Sequence, residues 1–367
     1  MDVAIVTMRL VEFDAMSNFT MATAIALKGY GKVSLYTFAY ERPIVEGIDI
    51  HLLGNNNSHS MGTNFQALMN TFKLARELSK YDILIIVNPD VGSMPAHHLA
   101  RRYNPKLKVV WTFHGLTPIS YINNFRDRML MRIRKAFYIP SMKRADRIQV
   151  FSNYIKKEIC DWGIDKSNVM VIPFGINIKN MTTDGGLRIR EKYGISDRFL
   201  CLYVGRLVNS KHVDELIKAI SLLEKPCLMV VGEGPEKERL IAQSKKLNVQ
   251  NRVLFAGRVP DNELPYYYAA CDVWVTASRH EGFCVPIVEA MAAGKPVIIP
   301  NVTAMPETAG DVGLTYNSGD IEGLVERLQE LFDKEYYNKL SRKALDRASA
   351  FDMSSIIDRY IRFVMES

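Results

Sequence analysis

Apolar residues in this chain fall into short runs that alternate with longer segments of helical periodicity. Six runs of strand length lie in the first half (VAIVTM, VSLYTF, DILIIV, KVVWTF, RIQVF, VMVIP) and six in the second (FLCLYV, CLMVV, RVLFA, DVWVTA, PVIIP, VGLTY). A repeated strand-then-helix pattern is typical of doubly wound parallel α/β sheets with right-handed crossovers. We therefore predict an α/β protein with two Rossmann-like domains, followed by a helical segment from about Asp320 to Ser367.

A loop-like stretch, VIPFGINIKNMTTDGG, separates the two sets of strands. The charge balance changes at the same place: residues 1–178 hold 22 Lys and Arg against 14 Asp and Glu, or +8, whereas residues 179–367 hold 25 against 26, or −1. We place the boundary near Ile178. The predicted domains are 1–178 and 179–350, with a C-terminal helix over 351–367.

The composition is that of an ordinary globular chain, with 48% apolar and 24% charged residues among 367. No apolar run reaches the roughly 18 residues that a membrane helix needs. The N-terminal MDVAIVTMRL carries an acid where a signal peptide carries cations, so we expect a cytoplasmic protein. The cysteines are scattered, without a Cys-x-x-Cys pair, and predict reduced thiols and no zinc site: Cys160, Cys201, Cys227, Cys271 and Cys284.

Candidate chemistry follows two of the predicted strands. Glu281 and Glu289 lie in EGFCVPIVEAMAAGKPV, directly after the strand-like CDVWVTAS. Arg206 and Lys211 lie in VGRLVNSKHVDELIKA, directly after FLCLYV. Open α/β sheets bind ligands at the carboxyl ends of their strands, so these loops predict a binding site with two cations for an anionic group.

Together with the intervening VVGEGPEKERL and NRVLFAGRVPDNELPYYYAACDV, these segments closely resemble the nucleotide-sugar half of retaining glycosyltransferase family 4, over residues 200–310. The resemblance implies the GT-B fold: two Rossmann-like domains facing a central cleft, with the C-terminal helix crossing back to the first domain. It implies that the first domain binds the acceptor and the second the donor. The expected reaction is transfer of a hexose from a nucleotide diphosphate sugar to a glycolipid, lipid-linked or cell-envelope glycan precursor.

The resemblance also assigns roles to individual residues. Arg206 and Lys211 are expected to stabilise the departing diphosphate, with backbone N–H groups of Cys284 and Val285. Glu289 is expected to bind the ribose, and Glu281, with Gly282 and Phe283, the donor sugar. The backbone from Gly257 to Val259 would contact the base, and His114 in WTFHG would contact the donor sugar. The predicted catalytic residues are thus Glu281, His114, Arg206 and Lys211.

No metal or cofactor is expected. The chain contains no Asp-x-Asp, the motif that holds a divalent ion in the other large transferase fold, and the two cations can stabilise the leaving group instead. Retention would then proceed by front-face attack, with a diphosphate oxygen taking the acceptor's proton. Two departures from the family pattern stand out: Cys284 replaces a usual glycine, and the loop after the first strand lacks glycine, leaving Arg9, Glu12 and Asp14 as candidate acceptor contacts.

Other interpretations remain open at this point. A sugar-nucleotide epimerase of the same fold would need no acceptor, and a non-catalytic protein could bind nucleotide sugars or anionic surfaces. GEGPEKERL is interpreted as a tight turn rather than a dinucleotide loop, and YYYAA as a helix with tyrosines packed partly at the surface. The histidines other than His114 are interpreted as surface or loop residues.

The segment 125–144, FRDRMLMRIRKAFYIPSMKR, carries seven cations and one acid. On a helical wheel an apolar face (Phe125, Met129, Leu130, Ile133, Ala136, Phe137) stands apart from Arg128, Arg132 and Lys135. One interpretation is a core helix with a solvated basic face. The other is docking to an anionic membrane, which would make the protein peripheral on the inner face of the cell membrane. Nucleic acid is not an expected partner, because no nucleic-acid-binding motif accompanies the charge.

Overall fold

The computed structural model describes residues 1–8, 10–11, 14–43, 45–53, 71–87, 94–116, 125–181 and 184–366. They form two compact units, one of Met1–Pro173 with Ser355–Ser367 and one of Phe174–Ser354. The sequence-based boundary near Ile178 lies just inside the second unit. Within the described ranges, the helices include none that could cross a bilayer.

The first unit is built on a seven-stranded parallel sheet of order β3-β2-β1-β4-β5-β6-β7. Its strands are β1 Val3–Thr7, β2 Val33–Thr37, β3 Ile48–Leu52, β4 Ile83–Val87, β5 Lys108–Phe113, β6 Arg147–Val150 and β7 Val169–Val171. The central strands are buried along their whole length, as expected for a sheet covered by helices on both faces. The strand order reverses between β1 and β4, so the unit has its switch point there.

Six described helices complete the first unit: α1 Ala15–Leu27, α2 Thr71–Leu78, α3 Met94–Tyr103, α4 Phe125–Met142, α5 Asn153–Asp161 and the last helix of the chain, α14, Met353–Met365. The Tyr360 hydroxyl in α14 lies 2.7 Å from Thr112 Oγ1 of β5. The Tyr360 ring meets Phe19 of α1 edge-on, with centroids 5.4 Å apart. Arg147 donates to the Phe363 carbonyl at 2.9 Å. These contacts attach the C-terminal helix to the first unit.

The second unit has a six-stranded parallel sheet of order β10-β9-β8-β11-β12-β13. Its strands are β8 Leu200–Val204, β9 Cys227–Val231, β10 Val253–Gly257, β11 Val273–Val275, β12 Val297–Pro300 and β13 Gly313–Tyr316. Its helices are α6 Gly186–Tyr193, α7 Val213–Ser221, α8 Lys237–Lys246, α9 Leu264–Ala270, α10 Val285–Ala292, α11 Met305–Ala309, α12 Ile321–Glu330 and α13 Lys334–Ala348. The strand order reverses between β8 and β11.

Helix α4 differs from its core-helix interpretation. Its buried residues are Tyr138, Ser141 and Met142, near its C-terminal end. The predicted apolar face points to solvent instead: Phe125 is 75% exposed, and four others are each about 40% exposed (Met129, Leu130, Ile133, Phe137). The predicted basic face is also divided, because Lys135 turns inward and lies 4.5 Å over the Trp162 ring. The periodicity correctly identified an apolar stripe, but that stripe is exposed, and the helix packs through its opposite side.

Candidate functional site

The predicted site residues of the second unit lie at the switch point of its sheet. Because β8 and β11 are neighbours with oppositely ordered strands on either side, the loops that follow them lie side by side at the carboxyl edge. Arg206 and Lys211 are in the loop after β8, and Glu281 and Cys284 are in the loop after β11. The backbone N–H of Arg279 joins the two loops by donating to the Ser210 carbonyl at 3.3 Å.

Lys211 and Glu281 form an ion pair. Lys211 Nζ lies 2.5 Å from Glu281 Oε1, and each side chain is 17% exposed. The Glu281 backbone is positioned from the other side, since its N–H donates to Thr303 Oγ1 at 3.3 Å. The pair brings one predicted diphosphate ligand and one predicted sugar ligand into direct contact, and it holds both side chains at the loop junction.

Arg206 is the cation that stays available at this edge. It is exposed, and among the described residues no ion pair or hydrogen bond engages its guanidinium group. Its backbone is held, because the buried Tyr203 hydroxyl donates to the Arg206 carbonyl at 3.1 Å. The loop therefore presents a fixed backbone and a free bidentate donor of the kind that suits phosphate oxygens.

Cys284 occupies a left-handed backbone conformation, with φ 72° and ψ 74°, directly before helix α10. Such a positive φ is uncommon for a residue with a side chain and is readily adopted by glycine, the residue that the family resemblance led us to expect here. Burial raises the pKa of the Cys284 thiol well above its usual range, as does Glu281, whereas Lys211 lowers it. The thiol is thus neutral and enclosed by the predicted site residues, which is unfavourable for a nucleophile.

Glu289 lies one turn inside α10. Its Oε2 accepts a hydrogen bond from the Tyr268 hydroxyl at 2.6 Å. Desolvation raises the pKa of the Glu289 carboxyl to about 7, although the Tyr268 hydrogen bond lowers it. The charge of Glu289 therefore changes near neutral pH.

The loop after β9 packs tightly against the loop after β8. A Cβ atom on Gly232 would lie 1.9 Å from the Gly205 carbonyl oxygen, and one on Gly234 would lie 2.3 Å from that of Leu207. The backbone N–H of Leu207 donates to the Glu233 carbonyl at 2.9 Å. These glycines serve close backbone packing, in agreement with the interpretation of GEGPEKERL as a tight turn.

The remaining predicted ligands of the second unit border this core of the site. Gly257 ends β10, and its carbonyl accepts from the Gly232 N–H at 2.8 Å, while Val259 is buried. Phe283 is buried against the ring of Phe351, with centroids 5.7 Å apart. Gly282, between Glu281 and Phe283, and Val285, the first residue of α10, complete the loop.

His114 belongs to the first unit, where it follows the last residue of β5. Burial lowers the pKa of its imidazole, and the nearby Asp14 carboxylate acts in the opposite direction. Asp14 also caps α1, accepting from the Ser17 N–H at 3.0 Å. Arg9 and Glu12, two of the candidate acceptor contacts, lie outside the described residues. The role of His114 toward a donor sugar stays a prediction.

Sequence reasoning missed Tyr268. The YYYAA segment was expected to pack its tyrosines partly at the surface, but Tyr267 and Tyr268 are 2% and 0% exposed. Tyr268 positions Glu289, and no local pattern distinguishes it from its two neighbours.

Among the residues that the structure describes, no group of three His, Cys, Asp or Glu side chains is arranged to hold a metal ion.

Comparison with known proteins connects both units to one enzyme family. Residues 16–180 match the family model described as Glycosyltransferase Family 4, and residues 187–348 match that of Glycosyl transferases group 1. The O-antigen chain mannosyltransferase B of Escherichia coli is 32% identical over 254 residues, covering 66% of each chain. The serotype-specific mannosyltransferase WbdA of Escherichia coli is 25% identical over 272 residues, or 69% of this chain. The chain spans about a third of WbdA, since the match covers 32% of that protein.

The fold agrees with these matches. The crystal structure of Anabaena HepE in complex with UDP and glucose has a TM-score of 0.83 and covers 100% of both chains at 20% identity. The predicted GT-B architecture of two parallel-sheet α/β domains is confirmed. The chain is a glycosyltransferase and belongs to glycosyltransferase family 4.

Proposed function

We propose that this glycosyltransferase moves a hexose from a nucleoside diphosphate sugar to an acceptor, with retention at the anomeric carbon. The observation that carries the proposal is the grouping of Arg206 with the Lys211–Glu281 ion pair beside the first turn of α10. Negative charge grows on the diphosphate as the sugar departs, and cations fixed in advance stabilise that charge without reorganising. Arg206 offers two parallel donors, and Lys211 can share its charge between Glu281 and a phosphate oxygen.

The carboxylates and backbone groups have separate roles in this proposal. Glu281 accepts hydrogen bonds from donor-sugar hydroxyls, beside the backbone of Gly282 and Phe283. Glu289 accepts those of the ribose. The backbone N–H groups of Cys284 and Val285 face the diphosphate at the start of α10, where the helix dipole favours an anion. The backbone from Gly257 to Val259 contacts the base.

Retention follows in this proposal from front-face attack. Glu281 is paired with Lys211 and Glu289 is bonded to Tyr268, so both carboxylates have partners other than an anomeric carbon. A diphosphate oxygen would take the proton of the attacking hydroxyl. His114 would contact the donor sugar, and the two cations would make a divalent metal unnecessary.

The substrates are proposed from the relatives. Two of them are named as mannosyltransferases, one of the O-antigen chain and one serotype-specific, and the HepE structure contains UDP and glucose. We propose mannose as the first sugar to test and a lipid-linked or cell-envelope glycan as acceptor. The test is a thermal-shift screen of UDP, GDP, ADP and their sugars, because a ligand that binds only the folded chain raises its melting temperature.

The decisive experiment on the site is Arg206→Ala, with Arg188→Ala, an exposed arginine of the same unit, as the matched control. Losing one preorganised donor lowers turnover by roughly two to three orders of magnitude, and the control should keep parental turnover. Equal turnover of the folded Arg206→Ala and parent proteins would remove the diphosphate role. Product formation without any acceptor, by inversion of the donor sugar, would identify an epimerase instead.

We further propose that α4 docks the first unit on an anionic membrane, as a peripheral protein on the cytoplasmic side. Four side chains on its solvent face, Phe125, Met129, Ile133 and Phe137, are each more than 40% exposed. The exposed Arg132 lies on one flank of this stripe, and the exposed Arg126 lies within it, two turns before Ile133. An apolar stripe with cations beside it and at its start matches a surface of acyl chains and anionic head groups.

Vesicle co-sedimentation tests this docking. Arg126→Ala with Arg132→Ala removes about 1 kcal/mol of attraction per residue, or roughly 30-fold in vesicle binding at low salt. Serine at Met129, Ile133 and Phe137 should weaken binding at any salt concentration. Serine at Leu187 and Leu222, exposed apolar residues of the second unit, is the control. If the parent protein ignores vesicles rich in phosphatidylglycerol, α4 does not dock on membranes.

A further inference from the structure

A cavity of about 340 Å³ lies in the first unit between α3 and the C-terminal end of α4. Val109, near the start of β5, belongs to its lining, whereas His114 follows the other end of that strand, and no role in sugar transfer involves the cavity. Its lining is basic and includes the following side chains: His97, His98, Arg101, Arg102, Ser141 and Arg144. The expectation that the histidines other than His114 are surface or loop residues is wrong for His97, which is 3% exposed within α3.

The arginines around the cavity differ in their engagement. Arg101 is fixed, since it donates to Asp146 Oδ1 at 2.6 Å and to the Arg144 carbonyl at 2.6 Å. Arg102 and Arg144 are exposed, and within the described ranges neither guanidinium group has an ion-pair or hydrogen-bond partner. Arg101 is thus held in place by its hydrogen bonds, whereas the guanidinium groups of Arg102 and Arg144 are free at the edge of the cavity.

His97 supplies a second, independent observation. Both of its ring nitrogens are buried and lack a hydrogen-bond partner in the part of the chain that the structure describes. A buried imidazole always has at least one N–H to donate, and leaving it unsatisfied is unfavourable. Desolvation accordingly lowers the pKa of His97 to about 3. A cavity lined by two free guanidinium groups and by this unsatisfied histidine is complementary to an oxyanion.

We infer that this cavity binds a phosphate group. A phosphate accepts several hydrogen bonds at once, and the guanidinium groups of Arg102 and Arg144 are suited to that geometry. The Ser141 hydroxyl and the imidazoles of His97 and His98 line the same cavity. Free phosphate and the phosphomonoester head group of a lipid share this chemistry. The inference concerns the first unit alone and does not depend on the proposed transfer reaction.

The experiment is a titration of the full chain with inorganic phosphate, against sodium chloride of equal ionic strength. Isothermal calorimetry gives the affinity, and ¹⁵N signals of the histidine rings report on His97 directly. The test variant is Arg102→Ala with Arg144→Ala, and the charge-matched control is Lys106→Ala with Lys157→Ala, exposed lysines of the same unit. The arginine variant should weaken phosphate binding by roughly 10- to 100-fold, the scale of lost charge-assisted hydrogen bonds, and the control should match the parent.

Vesicles distinguish the two sources of phosphate. If the site takes a lipid head group, the parent prefers phosphatidic acid over phosphatidylglycerol vesicles, and the arginine variant loses that preference. If it takes free phosphate, inorganic phosphate binds and no such preference exists. Either result supports a phosphate site. The inference is overturned if phosphate leaves the His97 signals unchanged and the arginine variant equals the control in both arms.

Discussion

Glu289→Gln should stabilise the second unit while weakening nucleotide binding. The wild-type carboxyl is desolvated in α10, with its pKa raised from 4.5 to about 7. For a group whose folded-state pKa is raised, the stabilising contribution is fully present below the ordinary pKa and is lost as pH rises through the folded-state value. The window therefore runs from about pH 4.5 to pH 7, and the neutral glutamine does not titrate in it.

The magnitude follows from the shift. Ionising a carboxyl with a pKa of about 7 rather than 4.5 costs about 3 kcal/mol of folding free energy at pH 8 and about 1 kcal/mol at pH 5. Glutamine keeps an oxygen that can accept from Tyr268. The variant's gain over the parent should thus be about 2 kcal/mol larger at pH 8 than at pH 5, or roughly 4 to 8 °C in melting temperature for a unit of this size.

The assay is thermal unfolding of parent and variant from pH 5 to pH 8, with nucleotide affinity measured by calorimetry at the same pH values. Glu322→Gln, which removes an exposed carboxylate of the same unit, is the control and should show no pH-dependent gain. Loss of a charged hydrogen bond to the ribose predicts a roughly 10- to 100-fold lower affinity for UDP or GDP at pH 8. A melting-temperature difference that is the same at pH 5 and pH 8 would refute the desolvation argument, and unchanged affinity would refute the ribose role.

Three further predictions concern the same site. Turnover should be unchanged in excess EDTA at matched ionic strength. If EDTA abolished turnover and manganese restored it, Arg206 and Lys211 would not be sufficient to stabilise the leaving diphosphate. Lys211→Ala and Glu281→Gln should be coupled by roughly 1 to 3 kcal/mol in a double-mutant cycle of unfolding, as expected for a partly buried pair; additive effects would mean that the pair contributes nothing. In the native chain, iodoacetamide followed by mass spectrometry should modify Cys160 before Cys284, because Cys160 is the half-buried one of the two, and faster labelling of Cys284 would contradict its enclosure.

Hydrophobic periodicity located twelve of the strands because each of them carries a run of apolar residues, and most of them are buried. All six predicted strands of the second half are present, and so are the six of the first. The pattern missed β3, Ile48–Leu52, which lies at the edge of its sheet and buries only its first residue. An edge strand exposes most of its side chains, so its sequence need not show the apolar run that identifies a central strand.

Motif spacing predicted that Arg206, Lys211 and Glu281 follow two strands, with Glu289 just beyond Glu281. The structure places the first three on neighbouring loops at one edge of the second sheet and Glu289 one turn inside α10. Motif spacing could not predict which side chains these residues contact. The Lys211–Glu281 pair joins residues 70 apart in sequence, and the Tyr268–Glu289 bond joins residues 21 apart. The sequence also could not predict that the apolar face of α4 is exposed, because periodicity identifies an apolar stripe but not whether other elements cover it.

The two glutamates of the site are held in opposite ways, and this difference links pH, stability and ligand binding. Glu281 is paired with the Lys211 cation, whereas Glu289 is desolvated in α10, accepts a hydrogen bond from the Tyr268 hydroxyl and lies near the like charge of Asp261. In the proposed ribose role, hydroxyls that donate to Glu289 favour its ionised form, so nucleotide binding should lower the pKa of Glu289 and release a fraction of a proton near pH 7. As pH rises over the same range, the ligand-free unit should lose stability and its affinity for the nucleotide should increase. A carboxylate that destabilises the empty site is therefore the expected consequence of a group whose hydrogen-bond partners arrive with the nucleotide.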